Sequence, residues 1–200
     1  MKDICVWYIV VSQTVFGCLY ILKIWKKKAS PTLTTWILFF AGCMPSSATY
    51  FLAENWDIKS GILNTTDLVY VTAILLAIII WGKRDGEDRF ETLEKWCLAG
   101  AVAVVCYWIV TGRTWGSNVL MQCLMVVAYI PMLHKMISQR KNRESFFGWL
   151  PGVLNGAVAL YPAIHEGNAL SVIYAVRSLT SCILTSAIMA YYQFIRKAKS

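Results

Sequence analysis

The sequence predicts an all-α integral membrane protein in which seven transmembrane helices form two parallel three-helix repeats joined by a linker helix (3+1+3). Three observations lead to this fold class. Hydrophobic residues make up 58% of the 200 residues and charged residues only 15%, and several apolar runs approach or exceed the roughly 20 residues that span a bilayer. Basic residues cluster between alternate runs. A helix, basic connector, helix unit near the N-terminus also recurs at residues 129–155.

Seven candidate spans occupy nearly the whole chain and leave no room for a soluble catalytic domain. They lie at about 4–23, 32–53, 62–82, 93–112, 117–136, 146–165 and 169–195. We expect the first span to be retained rather than cleaved as a signal peptide. Its charged start is minimal, with Lys2 beside Asp3, and no small-residue cleavage site follows it. The predicted halves are residues 1–82 and residues 113–200, the second with a short tail, and the linker loop and helix four lie between them at 83–112.

The placement of charge predicts membrane topology rather than a nucleic-acid partner. The net charge is +8, but fifteen of the nineteen Lys and Arg residues fall on connectors one–two, three–four and five–six and on the tail. By the positive-inside rule these segments are cytoplasmic and the N-terminus lies outside. That arrangement needs an odd number of spans, in agreement with seven. The compact loops favour a prokaryotic inner membrane, and the sequence leaves homo-oligomer formation open.

The first half carries polar residues inside its apolar runs. Gln13 lies in the middle of span one, and a glutamine in lipid needs a partner, so we expect it to face the bundle or a cavity. Pro45 interrupts span two and is followed by two serines, which predicts either a plain kink or a polar-lined break. Span three opens with Asn64 and reaches Asp67 about a turn and a half inside. An ionised carboxylate there must be paired or face water, or else be protonated.

Spans four to six differ in their content of polar and helix-breaking residues. Span four has aromatic and small residues but no buried charge, which is typical of a packing linker. Span five carries a buried Gln122, with Pro131 near its end. Span six contains Asn155, Pro151 and Pro162, and two of its glycines have the GxxxG spacing that allows close helix contact. Two prolines in one span argue against a static membrane anchor.

Span seven places Arg177 about nine residues inside the apolar run. Asp67 and Arg177 both descend from the outer side to comparable depth, so they could meet across the bundle. Two interpretations stay open, a structural ion pair within the membrane and a solute-binding or proton-coupled site.

No enzyme, metal or cofactor pattern is present in the sequence. The seven cysteines all fall in predicted spans, with no CxxC and no paired histidines near them, which favours reduced apolar fillers. The sequence also lacks paired carboxylates in the spans and the catalytic motifs HExxH and GxSxG. We therefore expect neither catalysis nor a bound cofactor.

An internal repeat relates the two ends of the chain. The aligned residues lie at corresponding points of a helix, basic connector, helix unit. At an offset of 109 residues, and with four extra residues in the later connector, the matches are Gln13 with Gln122, Tyr20 with Tyr129, Ile21 with Ile130, and Trp36 with Trp149. Both units start outside and turn in the cytoplasm, so a single linker helix is needed to give the second half the same orientation.

This layout resembles the PQ-loop superfamily of seven-helix transporters, which includes SWEET-type sugar transporters, lysosomal amino-acid exporters and the KDEL receptor. The basic connectors and following tryptophans, KKKASPTLTTW and RKNRESFFGW, are similar to the family, as are the prolines of spans two, five and six. Where the family has a Pro-Gln pair, this chain has Pro131 followed by Met132 and Leu22 followed by Lys23.

The resemblance implies a site near mid-membrane between the halves, with polar residues of the third and seventh helices contributing. By position these are Asn64, Asp67, Arg177, Thr180 and Ser181.

We expect a carrier for a small polar solute in the lipid bilayer, working by rocking of the two halves. The solute-binding candidates include Gln13, Gln122 and Asn155, and the hinge candidates are Pro45, Pro131, Pro151 and Pro162. If Asp67 and Arg177 form the site, a zwitterion or an anion fits better than an uncharged sugar. The alternative is a seven-helix receptor or sensor that binds a small ligand or peptide without moving it.

Overall fold

The computed structural model describes residues 1–82, 90–139, 144 and 146–192, without the side chains of residues 139 and 147. Throughout these residues the regular structure is helical, with no strand. The helices are α1 (Lys2–Trp25), α2 (Leu33–Ala53), α3 (Ile62–Trp81), α4 (Thr92–Thr111), α5 (Thr114–Gln139), α6 (Phe146–His165) and α7 (Ala169–Ala190). Their bounds follow the apolar runs of the sequence to within a few residues.

Six of these helices, all except α6, are long and apolar enough to cross a membrane. Large apolar side chains point outward from the bundle, among them Trp7 of α1 at 68% exposure and Val110 of α4 at 84%. Water disfavours such apolar surface, whereas lipid does not. The chain is therefore built as a multi-pass membrane protein.

The basic residues that predict the topology fall partly on segments that the structure does not describe. Those outside the described residues are Lys83, Arg84, Arg89, Arg140, Lys141, Arg143, Arg196, Lys197 and Lys199. The orientation of the chain in the membrane therefore stays a prediction from the sequence.

Six helices pack in a ring. Helix α3 packs against both α1 and α2, and α7 packs against both α5 and α6. Contacts of α1 with α6 and of α2 with α5 close the ring, and α3 also touches α6 and α7 across it. Helix α4 contacts α5 and, to a smaller extent, α2. The interior of the ring is the only place where all six helices can contribute side chains to one site.

The prediction that span four holds no buried charge was wrong. Glu94, in the first turn of α4, is fully buried and forms an ion pair with Lys135 of α5 at 2.8 Å. Thr34 of α2 donates a hydrogen bond to the same carboxylate at 3.1 Å, and the carboxylate accepts the backbone N–H of Glu91 as part of a capping box. Glu94 stands near the end of its span, where the sequence alone does not show that it is buried, and its ion pair joins α4 to the ring.

The four candidate hinge prolines lie inside continuous helices. Pro45 is within α2, Pro131 within α5, and Pro151 and Pro162 within α6. In α2 the residues after Pro45 are polar and are held by α5, where Asn118 Nδ2 donates to the Ser46 carbonyl at 2.8 Å. Helix α2 is thus continuous at its proline, and α5 supplies a hydrogen bond to the backbone there.

Helices α6 and α7 approach closely at the GxxxG pair. A Cβ atom added at Gly152 would lie 2.4 Å from Cys182 Sγ, and one at Gly156 would lie 3.1 Å from Leu179 Cα. The two glycines therefore let the helix backbones come together, as their spacing predicts.

Candidate functional site

A cavity lies inside the ring, between α1, α2 and α3 on one side and α5, α6 and α7 on the other. It encloses about 540 Å³ of space free of protein atoms, counting the part that opens to solvent. Its polar lining residues are Gln13, Asp67, Tyr174, Arg177 and Ser178. Its aromatic and sulphur-containing lining residues are Trp36, Phe39, Cys43, Tyr70, Met125, Tyr129, Trp149 and Cys182. Pro151 and two glycines of α6 complete much of the remaining wall.

Asp67 is half-buried on α3 and receives hydrogen bonds from two neutral side chains. Gln13 Nε2 donates to Oδ1 at 2.8 Å, and the Tyr174 hydroxyl donates to Oδ2 at 2.9 Å. Gln13 in turn accepts a hydrogen bond from Asn155 Nδ2 at 2.6 Å. The carboxylate is therefore positioned by α1 and α7 directly and by α6 through Gln13.

Arg177 is only 7% exposed, and its guanidinium has contacts of two kinds. Nε donates to Gln122 Oε1 at 2.7 Å. The Cζ atom lies 4.6 Å from the ring centroid of Tyr174, which is a favourable cation–π distance. Nη1 is buried and has no hydrogen-bond partner within the described part of the chain. The positive charge is thus enclosed with one of its donor groups unused.

Asp67 and Arg177 line the same cavity, but they do not meet as an ion pair. Among the ion pairs of the described residues, none joins these two side chains. Tyr174 links them, because its hydroxyl bonds the carboxylate while its ring face contacts the guanidinium. Tyr174 precedes Arg177 by three positions on α7, which brings both side chains to one face of the helix.

The two glutamines that the repeat aligns make matching contacts. Gln13 bonds the charged residue of the third helix, Asp67, and also Asn155 of α6. Gln122 bonds the charged residue of the seventh helix, Arg177, and its Nε2 also donates to Ser46 Oγ of α2 at 2.7 Å. Gln13 of α1 therefore joins α3 to α6, and Gln122 of α5 joins α7 to α2.

The other predicted site residues lie away from the cavity wall. Asn64 is buried and its Oδ1 accepts a hydrogen bond from Ser47 Oγ at 2.7 Å. Thr180 is exposed and donates to the Val176 carbonyl of its own helix at 2.8 Å, and Ser181 is absent from the lining. Asn155 and Gln122 touch the lining residues without belonging to it. Pro45, Pro131 and Pro162 are also outside the lining.

Sequence reasoning missed the aromatic floor of the cavity, formed by Trp36, Phe39, Tyr129 and Trp149. The ring centroids of Trp36 and Trp149 lie 6.2 Å apart, and those of Phe39 and Tyr129 lie 4.9 Å apart. Aromatic residues do not stand out in an apolar span, so composition gives no signal here. The internal repeat did give a signal, because the two tryptophans that it aligns, Trp36 and Trp149, are in contact.

Glu144 was also missed, since the sequence places it in a polar connector. It is only 9% exposed, and it accepts a hydrogen bond from the Tyr20 hydroxyl at the end of the cavity floor. Burial raises the pKa of Glu144 from 4.5 to about 7, and interactions with Tyr20, Trp149 and Trp36 oppose that rise.

We expect Glu144 to make stability depend on pH. Between about pH 4.5 and pH 7 the folded protein holds a proton that the unfolded chain releases, so the free energy of unfolding should fall as pH rises through this window. A shift of this size corresponds to about 3 kcal/mol, or roughly 6–12 °C in Tm. Melting curves of the purified protein in detergent at pH 5 and pH 8 measure it. Glu144→Gln should reduce the change in Tm between the two pH values. Glu166→Gln, which removes an exposed carboxylate, should leave that change as it is in the wild type. An unchanged slope in Glu144→Gln would contradict the assignment.

No protein-family model and no curated protein matches this chain. The functional inference therefore depends on the cavity and on the groups that line it.

Proposed function

We propose that this protein is a membrane transporter that moves a small polar solute through the central cavity, by alternating access between two three-helix halves. The observation that carries the proposal is the pair of opposite charges in that cavity. Asp67 comes from α3 and Arg177 from α7, so each half contributes one charge. Enclosed charges within a membrane protein are costly, and they commonly mark a solute or ion pathway.

The packing order supports a division into α1–α3 and α5–α7, with α4 as linker. In each half the third helix packs against the other two, and the first helix of each half packs against the second helix of the other. The matching contacts of Gln13 and Gln122 follow the same rule. Repeats related in this way can rock against each other around a site at their interface.

Contacts at both ends of the cavity support a gating cycle. At one end, the Tyr50 hydroxyl of α2 accepts two hydrogen bonds. One comes from Ser171 Oγ of α7 at 3.0 Å, and the other from Nδ2 of Asn168, the N-cap of α7, at 3.1 Å. At the other end, Tyr70 donates to the Gly148 carbonyl at 2.7 Å, beside the Tyr20 and Glu144 pair. Alternating access would break one set while it keeps the other. The proposal retains the predicted orientation, with the N-terminus outside and the C-terminus cytoplasmic.

Counterflow in proteoliposomes tests this function. The reconstituted full-length protein should take up at least one of a panel of radiolabelled amino acids, organic acids, nucleosides and sugars. Asp67→Asn and Arg177→Gln should each lower that uptake at least tenfold, since a hydrogen bond to a charged group is worth about 1.5–3 kcal/mol. Thr72→Val is the matched control on α3, because this hydroxyl bonds only its own helix and is outside the cavity lining.

Two outcomes would overturn the proposal. Uptake equal in the wild type and in both charge variants would exclude the cavity as the pathway. Specific binding without flux for every solute that binds would instead favour a receptor or sensor.

A further inference from the structure

The cavity has a charged side and an apolar side, and together they restrict the chemistry of the solute. We propose that the solute is a small zwitterion with an apolar side group, as in a neutral aliphatic amino acid. Its carboxylate would bind Arg177, its ammonium would bind Asp67, and its side group would lie on the aromatic floor. This inference rests on the proposed function and names the solute class for that same site.

The carboxylate is assigned to Arg177 because the guanidinium keeps donor capacity in a buried position. A guanidinium has five N–H donors in a fixed fork. Nε is used by Gln122, while Nη1 has no partner in the part of the chain that is described. A buried donor without an acceptor is unfavourable, and a carboxylate is the acceptor whose geometry matches the fork.

The ammonium is assigned to Asp67 because its present donors are both uncharged. Gln13 and Tyr174 supply one hydrogen bond to each carboxylate oxygen. An ionised carboxylate has about four acceptor sites, so each oxygen can accept one bond more. A primary ammonium would supply that bond together with the compensating charge.

Charge balance favours a zwitterion over an anion or a cation. Every residue of the cavity lining lies in the described part of the chain. Among these residues Asp67 is the acidic one and Arg177 the basic one. A zwitterion leaves the net charge of the cavity unchanged. A monoanion or a monocation would enclose one charge in excess, which is costly away from water.

The floor favours an aliphatic side group over a polyhydroxylated solute. Trp36, Phe39, Tyr129 and Trp149 pack edge to face or tilted, with neighbouring centroids 4.9–6.2 Å apart. They form a surface rather than an open cage around a ligand. Hydroxyl groups placed on it would lose hydrogen bonds to water without replacement, whereas an apolar group is favourably transferred there. The free space within the cavity is small, which favours a compact side group such as that of valine over a long one.

Binding of matched analogues to the wild-type protein tests each assignment. The probes are valine, isovalerate without the ammonium, isobutylamine without the carboxylate, valine betaine with a trimethylated nitrogen, glycine without the side group, and glucose. Calorimetry in detergent should show valine binding at least tenfold more tightly than every other probe. In Arg177→Gln, valine should no longer bind more tightly than isobutylamine. In Asp67→Asn, valine should no longer bind more tightly than isovalerate.

The analogue series uses the unaltered protein, so it remains decisive if either variant fails to fold. Equal binding of isovalerate and valine, or tighter binding of glucose, would overturn the zwitterion assignment. So would a lack of valine binding. In each case, counterflow of another solute by the same preparation would show that the transport proposal survives, and the absence of any counterflow would show that it fails as well.

Discussion

Asp67→Asn should destabilise the protein more than Arg177→Gln does, by about 3 kcal/mol against about 1–2 kcal/mol. The reason is an asymmetry in how the remaining charge can respond. A carboxylate left without its positive neighbour can take up a proton, and it keeps hydrogen bonds from Gln13 and Tyr174. A guanidinium does not lose its proton in proteins, so Arg177 would stay buried and charged. Thermal or chemical unfolding of the purified variants in detergent measures the difference.

The double variant Asp67→Asn/Arg177→Gln serves as the control for this prediction. Removing both charges leaves no buried excess, so the double variant should be more stable than Asp67→Asn alone. Simple additivity of the two losses would mean that the charges do not interact through Tyr174. Equal losses in the two single variants would contradict the asymmetry.

The sequence predicted the helices well because bilayer thickness sets their length. The apolar run that ends α3 at Trp81, for example, stops where polar residues begin, and this fixes the end of the helix without knowledge of the packing. The same logic identified Gln13, Asp67 and Arg177, since a polar group within such a run needs a partner. The packing of the helices around one another has no comparable local signal.

Contacts that depend on the rotation of a helix were beyond the sequence. Thr180 and Ser181 follow Arg177 closely, but the cavity side of α7 runs through Tyr174, Ser178 and Cys182 at intervals of four residues, a stripe on one helical face. Thr180 lies outside this stripe and bonds its own backbone.

Glu94 and Glu144 were hidden for a related reason. Both stand near the ends of spans, where a carboxylate normally faces water. Only the neighbouring helices, through Lys135 for Glu94 and Tyr20 for Glu144, enclose them.

Gly156→Leu should lower the stability of the folded protein by about 3 kcal/mol, or roughly 6–12 °C in Tm. A Cβ at this position already lies 3.1 Å from both Cα and Cβ of Leu179 and 3.2 Å from its backbone nitrogen. Backbone atoms cannot rotate away as a side-chain end can, so α6 and α7 must separate. Because Pro151 and Gly152 of α6 line the same cavity as Tyr174, Arg177 and Ser178 of α7, separation should also reduce solute binding.

Gly116→Leu is the matched control for this substitution. Gly116 is also helical, in the first turn of α5, and a Cβ there would meet no atom within 4 Å. Leucine is favoured over glycine in a helix at either position, so a lower Tm of Gly156→Leu reports the α6–α7 contact. Gly116→Leu should melt at or above the wild-type temperature. If the two variants melt alike, the close approach of α6 and α7 contributes nothing to stability, and the GxxxG spacing has no structural role in this protein.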